Sequence, residues 1–260
     1  ELGVSITIIN KPGGGGWVGW TALANAKPDG YTIGYINSPN FMAGYLDPEL
    51  KRKENMESFI PIINQVTDSG AVAVRPDSQF KTIEDVIEYA KAHPGELSAT
   101  STGYGSDDHF AVLRLANAIG AEFNIIHNEG AADSRAQVLG GHVDLLFANV
   151  GELTTLHREG ELRILAVMSE ERSEFLPDVP TFKEKGYNII SGSSRGIAAP
   201  AGTPPEIIAF LEEAFERAIK NPEHVKKMNA LGLAVDPMKG KEYADFLKQI
   251  EQDVKKFMGW

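Results

Sequence analysis

The sequence predicts an α/β protein organised as two lobes with mainly parallel sheets. Short β-rich runs alternate with helical stretches along the chain, the pattern of α/β layers. The strands fall into two clusters, before and after about residue 72. A length of 260 residues allows, at roughly 150 per domain, one large domain or two modest ones. The expected division is 1–72 plus 195–260 for the first lobe and 73–194 for the second. The chain would cross between them near 67–74 and again near 190–196.

Val4-Ser5-Ile6-Thr7-Ile8-Ile9 reads as a strand. Residues 13–16 form a glycine loop and 17–26 a helix, followed by the turn Lys27-Pro28-Asp29-Gly30 and a second strand at 31–36. Residues 59–66 and 71–74 are strands split by Thr67-Asp68-Ser69-Gly70. Ile83, Val86, Ile87 and Ala90 recur at i, i+3, i+4 and i+7, which makes 82–93 an amphipathic helix. Thr82 is its N-cap and Pro94-Gly95 its stop. Then come strand 97–100, a helix over 106–119, strand 122–126, helix 131–139, a buried strand at 143–147 and strand 162–167. Residues 197–200 end a strand, and Gly202-Thr203-Pro204-Pro205 opens a helix through 219. Helices at 223–231 and 241–257 finish the chain.

Composition excludes several functions. Lys plus Arg is 25 and Asp plus Glu 36, a net charge of −11. A field of that sign repels nucleic-acid backbones but permits one local anion pocket. There are no cysteines, so disulfides, thiolate catalysis and cysteine-based metal sites are out. No apolar run reaches ~18 residues, so no transmembrane helix is expected, and no signal peptide is visible. The six histidines are scattered, and no zinc-protease, nucleophile-elbow or P-loop pattern occurs. Nothing requires a metal, nucleotide or flavin.

Gly14-Gly15-Gly16-Trp17-Val18-Gly19 satisfies G-x-G-x-x-G after a predicted strand. A dinucleotide site is one reading. The next strand ends in Tyr35-Ile36-Asn37-Ser38, without the acid that a ribose needs. The preferred reading is a loop in which Gly14 and Gly15 line a ligand cleft.

Thr100-Ser101-Thr102-Gly103-Tyr104-Gly105-Ser106 joins a strand to a helix. Hydroxyls, glycines and the positive end of a helix dipole attract a carboxylate or phosphate there. The alternative is that the hydroxyls only cap the turns and the helix, with Ser106 as N-cap. Alternation of hydroxyls and glycines favours the anion. Asp107 and Asp108 complement the dipole and are expected to point into solvent. His109, one turn beyond Ser106, is expected to brace the loop. Asn128, Gly130 and Ala131 sit at a second strand-to-helix junction, either in a cleft or in a solvated loop. Asn149 follows a buried strand at the carboxyl end where open α/β sheets bind ligands. Arg195, among small residues, either reaches a carboxylate bidentately or lies on the surface.

Six blocks in order then resemble the TctC-like or Bug family, the extracytoplasmic receptors of tripartite tricarboxylate transporters. They are Asn10-Lys11-Pro12-Gly13-Gly14-Gly15-Gly16, Pro28-Asp29-Gly30-Tyr31-Thr32, and Ser101-Thr102-Gly103-Tyr104-Gly105-Ser106 with His109. Leu139-Gly140-Gly141-His142-Val143-Asp144, Leu176-Pro177-Asp178-Val179-Pro180-Thr181 and Ala199-Pro200-Ala201-Gly202-Thr203-Pro204 complete the set.

The resemblance implies a two-lobed clamshell of the periplasmic-binding-protein type (type II-like), with ligand held between lobes and no enzyme activity. It implies a small organic acid as ligand, gripped partly by Ser101, Thr102, Gly103, Gly105 and Ser106. It also implies membrane permease partners, a periplasmic or extracytoplasmic location and a monomer. The family's first strand, first helix and intervening glycine loop should precede Glu1 and are absent from this sequence, which implies an incomplete first-lobe sheet. Where many members carry P-Y-K-G this chain has His127-Asn128-Glu129-Gly130, and Arg195 stands where many have an aromatic residue. The functional expectation is a carboxylate-capturing transport receptor. The alternatives are a dinucleotide-binding enzyme domain and a ligand-sensing partner of a membrane signalling protein.

Overall fold

A computed structural model describes residues 3–11 and 13–260; Glu1, Leu2 and Pro12 of the first motif block lie outside the described residues. The chain divides into two compact units. The first comprises Glu1–Thr67, Ser194–Ala230 and Ala234–Trp260, the second Asp68–Ser193 with Leu231–Leu233.

The first unit holds helix α1 (Trp17–Ala24), strand β1 (Gly34–Ser38), helix α2 (Asn40–Leu46) and the first half of β2 (Phe59–Val74). It also holds most of β7 (Gly192–Pro200) and helices α7 (Pro205–Ile219), α8 (Pro222–Ala230) and α9 (Gly240–Met258). Strand β1 runs antiparallel to β7, with Asn37 opposite Arg195, and β7 also neighbours β2. Ile62, Ile63, Ile197 and Ala199 of the sheet pack with Ile208 and Leu211 of α7. Pro205 presets the first turn of α7, and apolar residues three and four apart give it one buried stripe. Trp17, Trp20 and Phe41 close a second cluster with ring centroids 5.0–5.4 Å apart.

The second unit holds the rest of β2, then α3 (Ile83–Ala92), β3 (Ser98–Ser101), α4 (Asp107–Ile119), β4 (Asn124–His127) and α5 (Ala131–Leu139). Strand β5 (Leu146–Asn149), α6 (Val150–Arg158) and β6 (Arg163–Val167) follow. Strand β2 pairs antiparallel with both β5 and β6. Its residues alternate between two cores: Val72 and Val74 face one, Ala71 and Ala73 the other. Burial on both faces accounts for the unbroken apolar run at 71–74. Helix α3 begins on the expected Thr82 cap, reciprocated by Asp85. Strands β3 and β4 are parallel, with Ser101 opposite His127, so β3–α4–β4 is a βαβ unit.

The α/β class is as expected, but the ladders are more antiparallel than expected. Of the ladders named above, only β3–β4 is parallel, because β2 and β7 run against the strands they meet. Residues 4–9 form no strand. They carry no ladder, and Val4, Ile6, Ile8 and Ile9 are 61–85 % exposed; β-propensity expresses packing against a partner, and this run has none among the described residues. The second strand begins at Gly34 rather than Tyr31. Residues 67–70 are not a break but the middle of β2. Gly70 N–H donates to Ser191 O at 2.8 Å and Met168 N–H to Gly70 O at 2.7 Å, so distant partners hold extended a stretch whose local chemistry favours a turn. Helices α2 and α6 were not expected.

Candidate functional site

The strand–loop–helix junction at 100–106 lies in the second unit. Gly103 (φ 123°) and Gly105 (φ 75°) occupy the left-handed half of backbone space that lets the chain double back onto α4. Ser106 caps α4 as expected, its Oγ accepting from His109 N–H at 3.2 Å. His109 braces the loop from the next turn: Gly105 N–H donates to His109 Nδ1 at 3.0 Å. The imidazole is therefore neutral with its proton on Nε2. Burial, and second the neighbouring His127, push its pKa down to about 4.

The hydroxyls have protein partners. Thr100 Oγ1 accepts from Phe147 N–H, and Thr102 Oγ1 donates to Asp108 Oδ2 at 2.8 Å. Ser101 Oγ lies 2.6 Å from His127 Nδ1. Thr100 and Ser101 are buried, whereas Thr102 and Gly103 are half-buried and Tyr104 is 61 % exposed. The face presented outward is thus Thr102-Gly103-Tyr104, backed by the N-terminus of α4.

Asp107 and Asp108 do not point into solvent; they are 8 % and 3 % exposed. Side-chain donors draw them inward. Thr102 serves Asp108, and Asn149 Nδ2 donates to Asp107 Oδ2 at 2.8 Å. Burial first and the Asp107 carboxylate second raise the Asp108 pKa well above the ordinary value. The shift favours the neutral acid, the form that does not oppose an anion at the loop.

The other expected residues are placed as follows. Asn128 N–H donates to Ser101 O, and its Nδ2 to Ser134 Oγ, so it ties the second junction to the first. Gly130 precedes α5 and Ala131 begins it. Asn149 is buried before α6, its amide committed to Asp107. Arg195, Gly14 and Gly15 belong to the first unit. Arg195 is half-buried on β7, opposite Asn37. Gly14 and Gly15 lie in a 3-10 turn ahead of α1, and Gly14 lines a cavity of about 450 Å³ with Trp17, Thr21, Asn25 and Arg52. The dinucleotide reading loses its context: no strand precedes this turn among the described residues, and β1 is antiparallel to its partner. Sequence reasoning left out His127 as a site residue, although it replaces the proline of the family's P-Y-K-G.

An α/β chain in two compact units thus carries a hydroxyl–glycine junction at the start of a helix. The family model described as tripartite tricarboxylate transporter family receptor (TctC) matches residues 1–258, and the chain belongs to that family. A UPF0065 protein of Cupriavidus necator is 33% identical over 94% of this chain and 74% of its own length. Protein BugT of Bordetella pertussis is 31% identical, over 89% of this chain and 72% of its own. A TctC solute-binding protein from Polaromonas is similar in structure, with TM-score 0.82 and 29% identity over 96% of this chain and 85% of that one. The family is one of transport receptors rather than enzymes. Among the described residues no helix is long and apolar enough to cross a membrane.

Proposed function

We propose that the protein captures a small organic acid outside the cytoplasm and delivers it to the membrane subunits of a tripartite transporter. The observation that carries this reading is the outward Thr102-Gly103-Tyr104 face at the N-terminus of α4. Partial positive charge collects there, and the acids behind it are buried and hydrogen-bonded rather than displayed. Asn128 is tied to the loop through its N–H bond to Ser101 O, and Gly130 and Ala131 follow it at the start of α5. Family membership supports the transport role and the extracytoplasmic location.

The test is a thermal-shift and calorimetric screen of ligand-stripped protein against mono-, di- and tricarboxylates. At least one acid is expected to raise the Tm and bind saturably. No response from folded protein across the panel overturns the reading. Arg195→Ala is expected to weaken the best acid about tenfold or more if its charge-assisted bond is direct; an unchanged Kd removes Arg195 from the site.

A further inference from the structure

His127 ends β4 directly opposite Ser101, which ends β3. Its ring therefore stands where the loop leaves the sheet. Ser101 Oγ receives Gly103 N–H at 3.4 Å and keeps its own proton to give. The nearest acceptor is His127 Nδ1 at 2.6 Å; Gly103 O lies at 3.3 Å. Donation to Nδ1 leaves the imidazole proton on Nε2. Ser101 is fully buried and His127 exposed, so the accepting edge faces the protein and Nε2–H is on the far edge. Two edge-on ring contacts hold the orientation, His109 at 4.8 Å and Tyr104 at 5.8 Å. The result is a fixed donor on the rim of the loop, held by a strand rather than by the loop itself.

We infer that His127 contacts the ligand directly and selects acids that carry a second carboxylate. This rests on the loop being the acid-binding element. One carboxylate is served by the Thr102–Tyr104 face and the helix end. A second carboxylate meets the Nε2–H of His127, a charge-assisted bond that a monoacid cannot form. Glu129 places a negative charge two residues away, and the imidazole donor offsets its repulsion of a second carboxylate at this junction.

Calorimetry with matched pairs, succinate against butyrate and glutarate against pentanoate, tests this on the wild type, His127→Ala and His127→Gln. The wild type is expected to favour the diacid in at least one pair. His127→Ala should lose about tenfold for that diacid and little for its monoacid, and His127→Gln, which keeps an N–H, should recover most of the loss. Equal losses on both members of a pair, no loss, or a wild-type preference for the monoacid overturns the inference and leaves the loop reading standing. A wild type that binds none of the four acids overturns this inference, and the loop reading then stands or falls on the wider carboxylate panel. Nitrogen-15 NMR of the imidazole gives an independent readout: an Nδ1–H tautomer at neutral pH, free and diacid-bound, also overturns it.

Discussion

Asp108 and His109 are adjacent in sequence and titrate in opposite senses. The folded-state pKa of Asp108 lies above its unfolded value, so as pH rises the unfolded chain gives up this proton first. Its contribution is most favourable below the unfolded pKa of ~3.9 and is lost as pH climbs toward the folded value. Asp108→Asn keeps an acceptor for Thr102 and removes the buried charge. It should stabilise the protein at pH 7 by on the order of 1 kcal/mol and make no difference at pH 3. Urea denaturation at the two pH values checks this, and a stabilisation that persists at low pH contradicts it. His109 runs the other way. Its pKa falls to about 4 in the fold, so its contribution is complete above the unfolded value of ~6.5 and is lost as pH drops from there toward 4. His109→Gln should flatten that limb of the stability profile. The loss at stake is about 2 kcal/mol after discounting for partial hydration.

At the scale of elements, two long strands set the geometry. Strand β2 passes through 67–70 because Ser191, Met168 and Asn149 supply its pairing. Nearby, Asp68 Oδ1 accepts from Gly151 N–H at 3.0 Å and caps the start of α6. Strand β7 carries Gly196 where α9 presses closest. A Cβ there would fall 1.8 Å from the Tyr243 hydroxyl, and Tyr243 is fully buried. Gly196→Ala is therefore expected to destabilise the first unit by about 1–3 kcal/mol. An unchanged midpoint in chemical denaturation would show that α9 can retreat at no cost. Helix α2 escaped the sequence reading because Phe41, Met42, Ala43 and Gly44 are all buried and leave no polar face to mark a period. Helix α6 was hidden by Gly151 and two threonines, residues of low helix propensity. Its Asn149…Glu152 capping pair was the available signal.

For the whole molecule, charge and ligand linkage matter. A net charge of −11 opposes the approach of an acid over a Debye length, about 8–10 Å at ordinary ionic strength. Association of a carboxylate should therefore speed up as salt is raised from low to physiological levels. Stopped-flow mixing measures it; a rate that falls with salt would mean that local positive potential at the loop dominates the global field. At 100 times Kd the bound acid should add about 2.7 kcal/mol of stability. Hydrogen exchange should show the new protection around residues 100–110 in the second unit.

Much of this was written in local pattern. The spacing of Ile83, Val86, Ile87 and Ala90 announced α3, Thr82 and Ser106 announced their caps, and alternating runs announced an α/β chain. The ordered glycine and proline blocks pointed to the receptor family. These are readable because a helix period, a cap or a tight turn depends on residues a few positions apart. Tertiary structure alone decided that Asp107 and Asp108 turn inward, that the loop's hydroxyls have partners, that residues 67–70 stay extended and that His127 stands against Ser101. Each of these depends on a donor or acceptor far away in sequence, and the free energy of satisfying a buried polar group outweighs the local preference.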